Sequence, residues 1–139
     1  MVMIETDMLI ALASKSDKHH NKAKNLLRKM KTVKLSPYSL IELDFLISSK
    51  SLIVKLPDFY DALRDTFAYY GILILASQPI HFAKAWLFRK KYGLTFFDSL
   101  HAATAVEENE VLISFDKKYG NIKELKYKNP YSPLLEGIE

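Results

Sequence analysis

Cysteine is absent from the 139-residue chain, which excludes disulfides and thiolate metal sites alike. Only four glycines are present, and no Gly-rich phosphate loop or nucleophile elbow is formed from them. Apolar runs are short. Stretches such as Ile72 to Ala76 fall far below the ~20 residues that a bilayer span needs. The N-terminus has no basic stretch ahead of an apolar one, so it does not read as a signal peptide. The expectation is a cytoplasmic protein with no membrane attachment.

What is present is ordinary globular material. A hydrophobic content of 49% can build a core, and 26% charged residues argue against a disordered chain. The length fits a single domain over residues 1–139. A net charge of +4 and a pI near 9.1 are compatible with nucleic-acid binding without requiring it.

Two kinds of segment alternate along the chain. Val2–Glu5, Val33–Leu35, Ile72–Leu75 and Val111–Phe115 have the length and apolar content of strands. Between them, Lys18–Lys31 and Pro37–Ser49 carry apolar residues at helical spacing. Pro57–Tyr70 and Pro79–Tyr92 each open on a proline and end beside a glycine, Gly71 and Gly93. Asp98–Asn109 is rich in alanine and strongly helix-forming. Strands alternating with long helices predict a three-layer α/β/α sandwich around a central parallel sheet. From about residue 128 the chain reads as an irregular tail, with Pro130, Pro133 and Gly137.

Against this background four acids stand beside element ends. Ligands of open parallel sheets bind outside the carboxyl ends of the strands. Asp7 follows the first predicted strand, Asp116 follows the last, Asp98 opens the Ala-rich helix, and Glu42 lies in the first turns after the second strand. Singly, each has a helix-capping explanation. Asp7, Asp98 and Asp116 suit N-caps, and Ser39-Leu-Ile-Glu42 matches a capping box. Together, converging carboxylates would raise one another's pKa, and a divalent cation would relieve the repulsion. Oxygen ligands with no Cys and few His favour Mg2+ or Mn2+ over Zn2+. One such ion, or a pair ~3.5–4 Å apart, can activate water and stabilise the leaving oxygen of a phosphodiester.

Four segments resemble PIN-domain motifs, in order and at the right spacing: Ile4-Glu-Thr-Asp7-Met-Leu-Ile, Ser39-Leu-Ile-Glu42-Leu, Tyr92-Gly-Leu-Thr-Phe-Phe-Asp98-Ser-Leu-His-Ala-Ala-Thr-Ala105 and Val111-Leu-Ile-Ser-Phe-Asp116. The chain is similar to the small prokaryotic PIN proteins of the VapC toxin type, from Met3 to about Tyr119. The resemblance implies an α/β nuclease in which Asp7, Glu42, Asp98 and Asp116 hold Mg2+ or Mn2+. It implies that Ser114 supports the site by hydrogen bonding. It also implies endonucleolytic RNA cleavage, an antitoxin protein as inhibitory partner, and a homodimer. One departure is visible. The family often has a small hydroxyl or Asn after its first Asp, and here Met8 follows Asp7. Thr6 precedes Asp7, and strand alternation predicts that it points elsewhere.

Lys117 and Lys118 adjoin Asp116 and are candidates for contact with the RNA backbone. His101 shares a helix face with Asp98 and reads as a structural or surface residue, with phosphate or water orientation as the alternative. Two rival readings stand beside the nuclease. A non-catalytic module that only docks RNA or protein would not use the acids. A phosphoacceptor receiver domain would want an acidic pair after the first strand, where only Asp7 is found in this reading.

Overall fold

The structure is a computed structural model, described over residues 1–132. Each predicted apolar run forms a three-residue strand: β1 (Val2–Ile4), β2 (Val33–Leu35), β3 (Ile72–Ile74) and β4 (Val111–Ile113). All but β2 stop one or two residues earlier than the apolar pattern. That early stop moves Glu5 out of the sheet. A fifth strand, β5 (Tyr127–Lys128), pairs with β4. Its two residues stand just ahead of Pro130, so nothing local marks it, and a strand that short beside a proline sits at a sheet edge. The irregular tail expected from about residue 128 therefore begins one residue later. Residues 129–132 carry no regular element, and 133–139 lie outside the described residues.

Six helices occur among the described residues: α1 (Thr6–Ala13), α2 (His20–Lys29), α3 (Ser39–Ser48), α4 (Asp58–Tyr70), α5 (Pro79–Tyr92) and α6 (Phe96–Glu107). Gly71 and Gly93 end α4 and α5 in the left-handed conformation, with φ of 68° and 67°, where a Cβ would be strained. Helix α1 was anticipated only through the capping reading of Asp7; its N-cap is Glu5, two residues earlier, and Asp7 lies in its first turn. None of these helices is long and apolar enough to cross a membrane.

All strands are parallel, in the order β3-β2-β1-β4-β5. Alternation along β1 sends Val2 and Ile4 to one face and Met3 to the other. Val2 and Ile4 pack with Leu9 of α1, Leu27 of α2, Leu43 of α3 and Leu63 of α4. Met3 and Leu112 pack with Ala85 and Phe88 of α5 and with Leu100 and Ala103 of α6. The result is the three-layer α/β/α sandwich. Burying each such Leu or Ile stabilises the fold by about 1.5–3 kcal/mol. The order also fixes the site. From β1 the chain moves outward to β2 and β3, then returns to β4 on the other side. This switch point leaves a crevice at the carboxyl ends of β1 and β4, where α/β sheets bind ligands.

Candidate metal centre

Glu5 is the single residue between β1 and α1. Its extended backbone makes it the N-cap of α1, and its Oε1 accepts the Asp7 amide at 3.2 Å. Its Oε2 lies 2.8 Å from Ser114 Oγ, just beyond β4. Thr6, the first residue of α1, donates its hydroxyl to Glu42 Oε1. His101 Nε2 stands 2.8 Å from the same oxygen and 3.9 Å from Glu5 Oε1. On its other side, His101 Nδ1 meets Ser36 Oγ at 2.7 Å. Glu5, Glu42 and His101 thus each offer one ligand atom, all within 4.8 Å of one another. Glu5, Thr6, Ser36 and His101 are buried.

Asp7 ties α1 to the end of β4. Its Oδ2 accepts the Phe115 amide and contacts Ser114 Oγ, both at 2.8 Å. Its Oδ1 is buried without a hydrogen-bond partner. Ser114 Oγ also accepts the Asp116 amide at 3.1 Å. A hydroxyl has one proton, so Ser114 can donate to only one of the two carboxyls it touches. The second contact requires a carboxyl that carries a proton. Burial, with the charge of Glu42 adding to it, pushes Glu5 up to about 7. Burial and the neighbouring Glu5 push Asp7 up to about 8.

Asp98 and Asp116 are held differently. Lys118 Nζ lies 2.8 Å from Asp98 Oδ2 and 3.2 Å from Asp116 Oδ2. The Lys118 amide also donates to Asp116 Oδ1, at 3.0 Å. Thr95 donates to Asp98 Oδ2 at 2.9 Å and Tyr119 to Asp98 Oδ1 at 3.1 Å. Burial would raise Asp98, but these donors outweigh it and hold its carboxyl below the ordinary range. Contact with Asp98 in turn pushes Lys118 up to about 12.

A family model for the PIN domain matches residues 2–125. The chain belongs to the PIN-domain family. No curated protein matches it by sequence. Among solved structures, this PIN domain is similar to VapC20 of Mycobacterium tuberculosis, described as a sarcin–ricin loop cleaving toxin. That match has a TM-score of 0.70 and 17% identity, over 91% of this chain and 99% of the other. VapBC2 of Rickettsia felis, bound to a DNA fragment from its promoter, gives a TM-score of 0.68 and 22% identity, over 93% and 98%. A toxin–antitoxin complex from Klebsiella pneumoniae gives 0.69 and 19%, over 95% and 99%. At these identities the likeness is one of fold.

The four acids read from the sequence all lie at the crevice or its rim, where the charges of Glu42 and Asp98 both act on Glu5. Glu42 has its capping-box alternative removed. The N-cap of α3 is Tyr38, with no side-chain cap bond, and the Glu42 carboxylate goes to Thr6 and His101 instead. Asp116 caps the 3-10 turn Lys117–Asn121 and binds Lys118 as well. Among the described residues, Asp7, Asp98 and Asp116 are outside the tight group that Glu42 shares with Glu5 and His101.

Three readings change. Glu5 was assigned to the strand, and it is instead a buried carboxyl at the crevice. Thr6 does not point away, because the helix rather than the strand sets its direction. Of the structural and surface roles read for His101, the surface one falls, since the ring is fully buried against Glu42. Counted from Glu5, the residue after the first acid is Thr6, the small hydroxyl that the PIN resemblance leads one to look for. That match was the available signal. Lys118 faces the acids, while Lys117 is exposed at the rim. Cation binding fits this donor set. Among the described residues no Lys or Arg pairs with Glu5, Asp7 or Glu42, and the buried Asp7 Oδ1 is unpartnered.

Proposed function

We propose that the chain is a metal-dependent endoribonuclease that hydrolyses RNA phosphodiester bonds, acting as the toxin of a type II toxin–antitoxin pair. The observation that carries this reading is the convergence of Glu5, Glu42 and His101 within 4.8 Å at the β1–β4 switch point of a PIN fold. Carboxyls as deeply buried as Glu5 are costly unless a cation or proton compensates them. Mg2+ or Mn2+ held there by Glu5 and Glu42, with Asp7, Asp98 and Asp116 around it, would polarise the phosphate and lower the pKa of water.

The chain's own residues do the rest. Ser114 and the Phe115 amide fix the Asp7 carboxyl, and the Asp7 amide fixes Glu5. Thr6 fixes Glu42. These bonds hold the carboxyls near each other before any ligand arrives, so little reorganisation is left for the reaction. Lys117, exposed and next to Asp116 in sequence, would attract the phosphate backbone. An antitoxin and a second copy of the chain are the proposed protein partners. Support for the antitoxin comes from the R. felis and K. pneumoniae neighbours, whose structures are of toxin–antitoxin assemblies.

The test is cleavage of RNA by the purified chain, with Mn2+ or Mg2+ and with chelator. Cleavage should require the ion and disappear in Asp98→Asn and Glu42→Gln, with circular dichroism unchanged. Cleavage that survives either substitution, or chelation, would overturn the mechanism.

A further inference from the structure

The acids divide into two groups that differ in what neutralises them. Asp98 and Asp116 already share a cation. The Lys118 ammonium lies 2.8 and 3.2 Å from one oxygen of each, and its backbone amide secures the same Asp116 from the other side. A second ion at that position would have to displace an ammonium that two carboxylates hold in place. Glu5, Asp7 and Glu42 have no such cation among the described residues, and Asp7 Oδ1 is buried with no partner at all.

The cation-free group also contains a nitrogen. His101 is fully buried, and its Nδ1 is fixed at 2.7 Å by Ser36 Oγ. Ser36 is in turn anchored by its own amide to the Ile4 carbonyl of β1, at 3.0 Å. A histidine whose far nitrogen is held by a second partner has the orientation that metal-binding imidazoles adopt. Its Nε2 points at Glu42 Oε1 and faces Glu5 Oε1. Mg2+ prefers an all-oxygen octahedron with several waters, whereas imidazole suits ions of the transition series.

We propose that the site holds one divalent ion rather than two. That ion belongs to the transition series and is bound by Glu5, Glu42 and His101 Nε2, while Lys118 takes the second cation's place between Asp98 and Asp116. This rests on the nuclease reading for its purpose but not for its test, which measures binding alone.

Wild-type protein carrying isotopically labelled histidine is loaded with Mn2+ and examined by pulsed electron paramagnetic resonance. Coupling to one directly bound histidine nitrogen is expected. Its absence would overturn the ligand assignment, and this measurement needs no variant that has to fold. Calorimetric titration should give one Mn2+ per chain. Two in the wild type would overturn the role of Lys118. His101→Asn should abolish the coupling and weaken Mn2+ binding by on the order of tenfold or more, with Mg2+ affinity little changed. A coupling that persists in that variant assigns the ligand to another histidine and sinks the proposal. Lys118→Met, at a largely exposed side chain, should raise the stoichiometry to two, and a value of one would count against the substitution of lysine for a metal. If the chain binds one ion as stated yet cleaves no RNA, the nuclease reading fails and the metal assignment stands.

Discussion

The inner and outer parts of the site face the same problem and solve it by opposite means. Inside, Glu5 and Asp7 are packed against each other and against Ser114, and burial raises both to about 7 and 8. Outside, Asp98 is kept ionised below the ordinary range by Lys118, Thr95 and Tyr119, which outweigh its burial. Burial holds protons on one group, and the other carries its own cation. The contrast teaches that an acidic motif in sequence does not say how its charge is compensated. A proton can be exchanged for a metal ion, whereas a tethered lysine is a permanent fixture. The inner group is therefore the responsive half.

The strongest way to break this contrast is Glu5→Gln. The amide can still accept the Asp7 N–H, so α1 keeps its cap, but one anionic ligand is lost. RNA cleavage should fall on the order of a thousand-fold, corresponding to several kcal/mol of transition-state stabilisation. An activity within tenfold of wild type would remove Glu5 from the site.

The second test is pH. Glu5 and Asp7 titrate near 4.5 and 3.8 when unfolded and near 7 and 8 when folded. The unfolded chain releases these protons first. Stability of the metal-free protein is then greatest below about pH 4, as far as these two groups are concerned, and is lost as pH rises to about 8. Thermal melts with chelator should show the decline, and Mn2+ should recover more of the loss at pH 8 than at pH 5. A flat profile would mean that the inner carboxyls do not retain protons.

Ser114→Ala tests the same group more gently. It removes the hydroxyl shared by Glu5, Asp7 and the Asp116 amide, and should lower stability by about 1–3 kcal/mol. Denaturant unfolding measures this directly. The smallest effect belongs to the outer pair. Lys118 is 47% exposed, so Lys118→Met should cost the metal-free protein less than ~1 kcal/mol. If it costs more than Ser114→Ala, the ranking of the two halves is inverted.

The layered α/β architecture was legible because β-branched runs and helical spacing alternate over the whole chain. The outer acids were legible in part: Asp116 caps its helical turn as expected, but α6 starts two residues before Asp98, with Thr95 as its N-cap, so Asp98 lies in the first turn. Glu5 and Thr6 were not, for a reason of one residue. The apolar run suggests a strand that includes Glu5, but pairing ends at Ile4 and the helix starts at Thr6. Period-two alternation then assigns both side chains to the wrong directions. His101 was underestimated because its partners Ser36 and Glu42 are 65 and 59 residues away in sequence. Strand β5 escaped because two residues ahead of a proline carry no period at all.

The bond from Ser114 to Glu5 spans 109 positions. A long stretch of polypeptide therefore lies between the two sides of the crevice, and β4, which completes it, follows all six described α-helices in the chain. A nascent chain still short of that strand lacks the wall that fixes Asp7 and Glu5. The catalytic competence proposed for this molecule would thus be withheld on the ribosome until β4 has emerged and paired with β1.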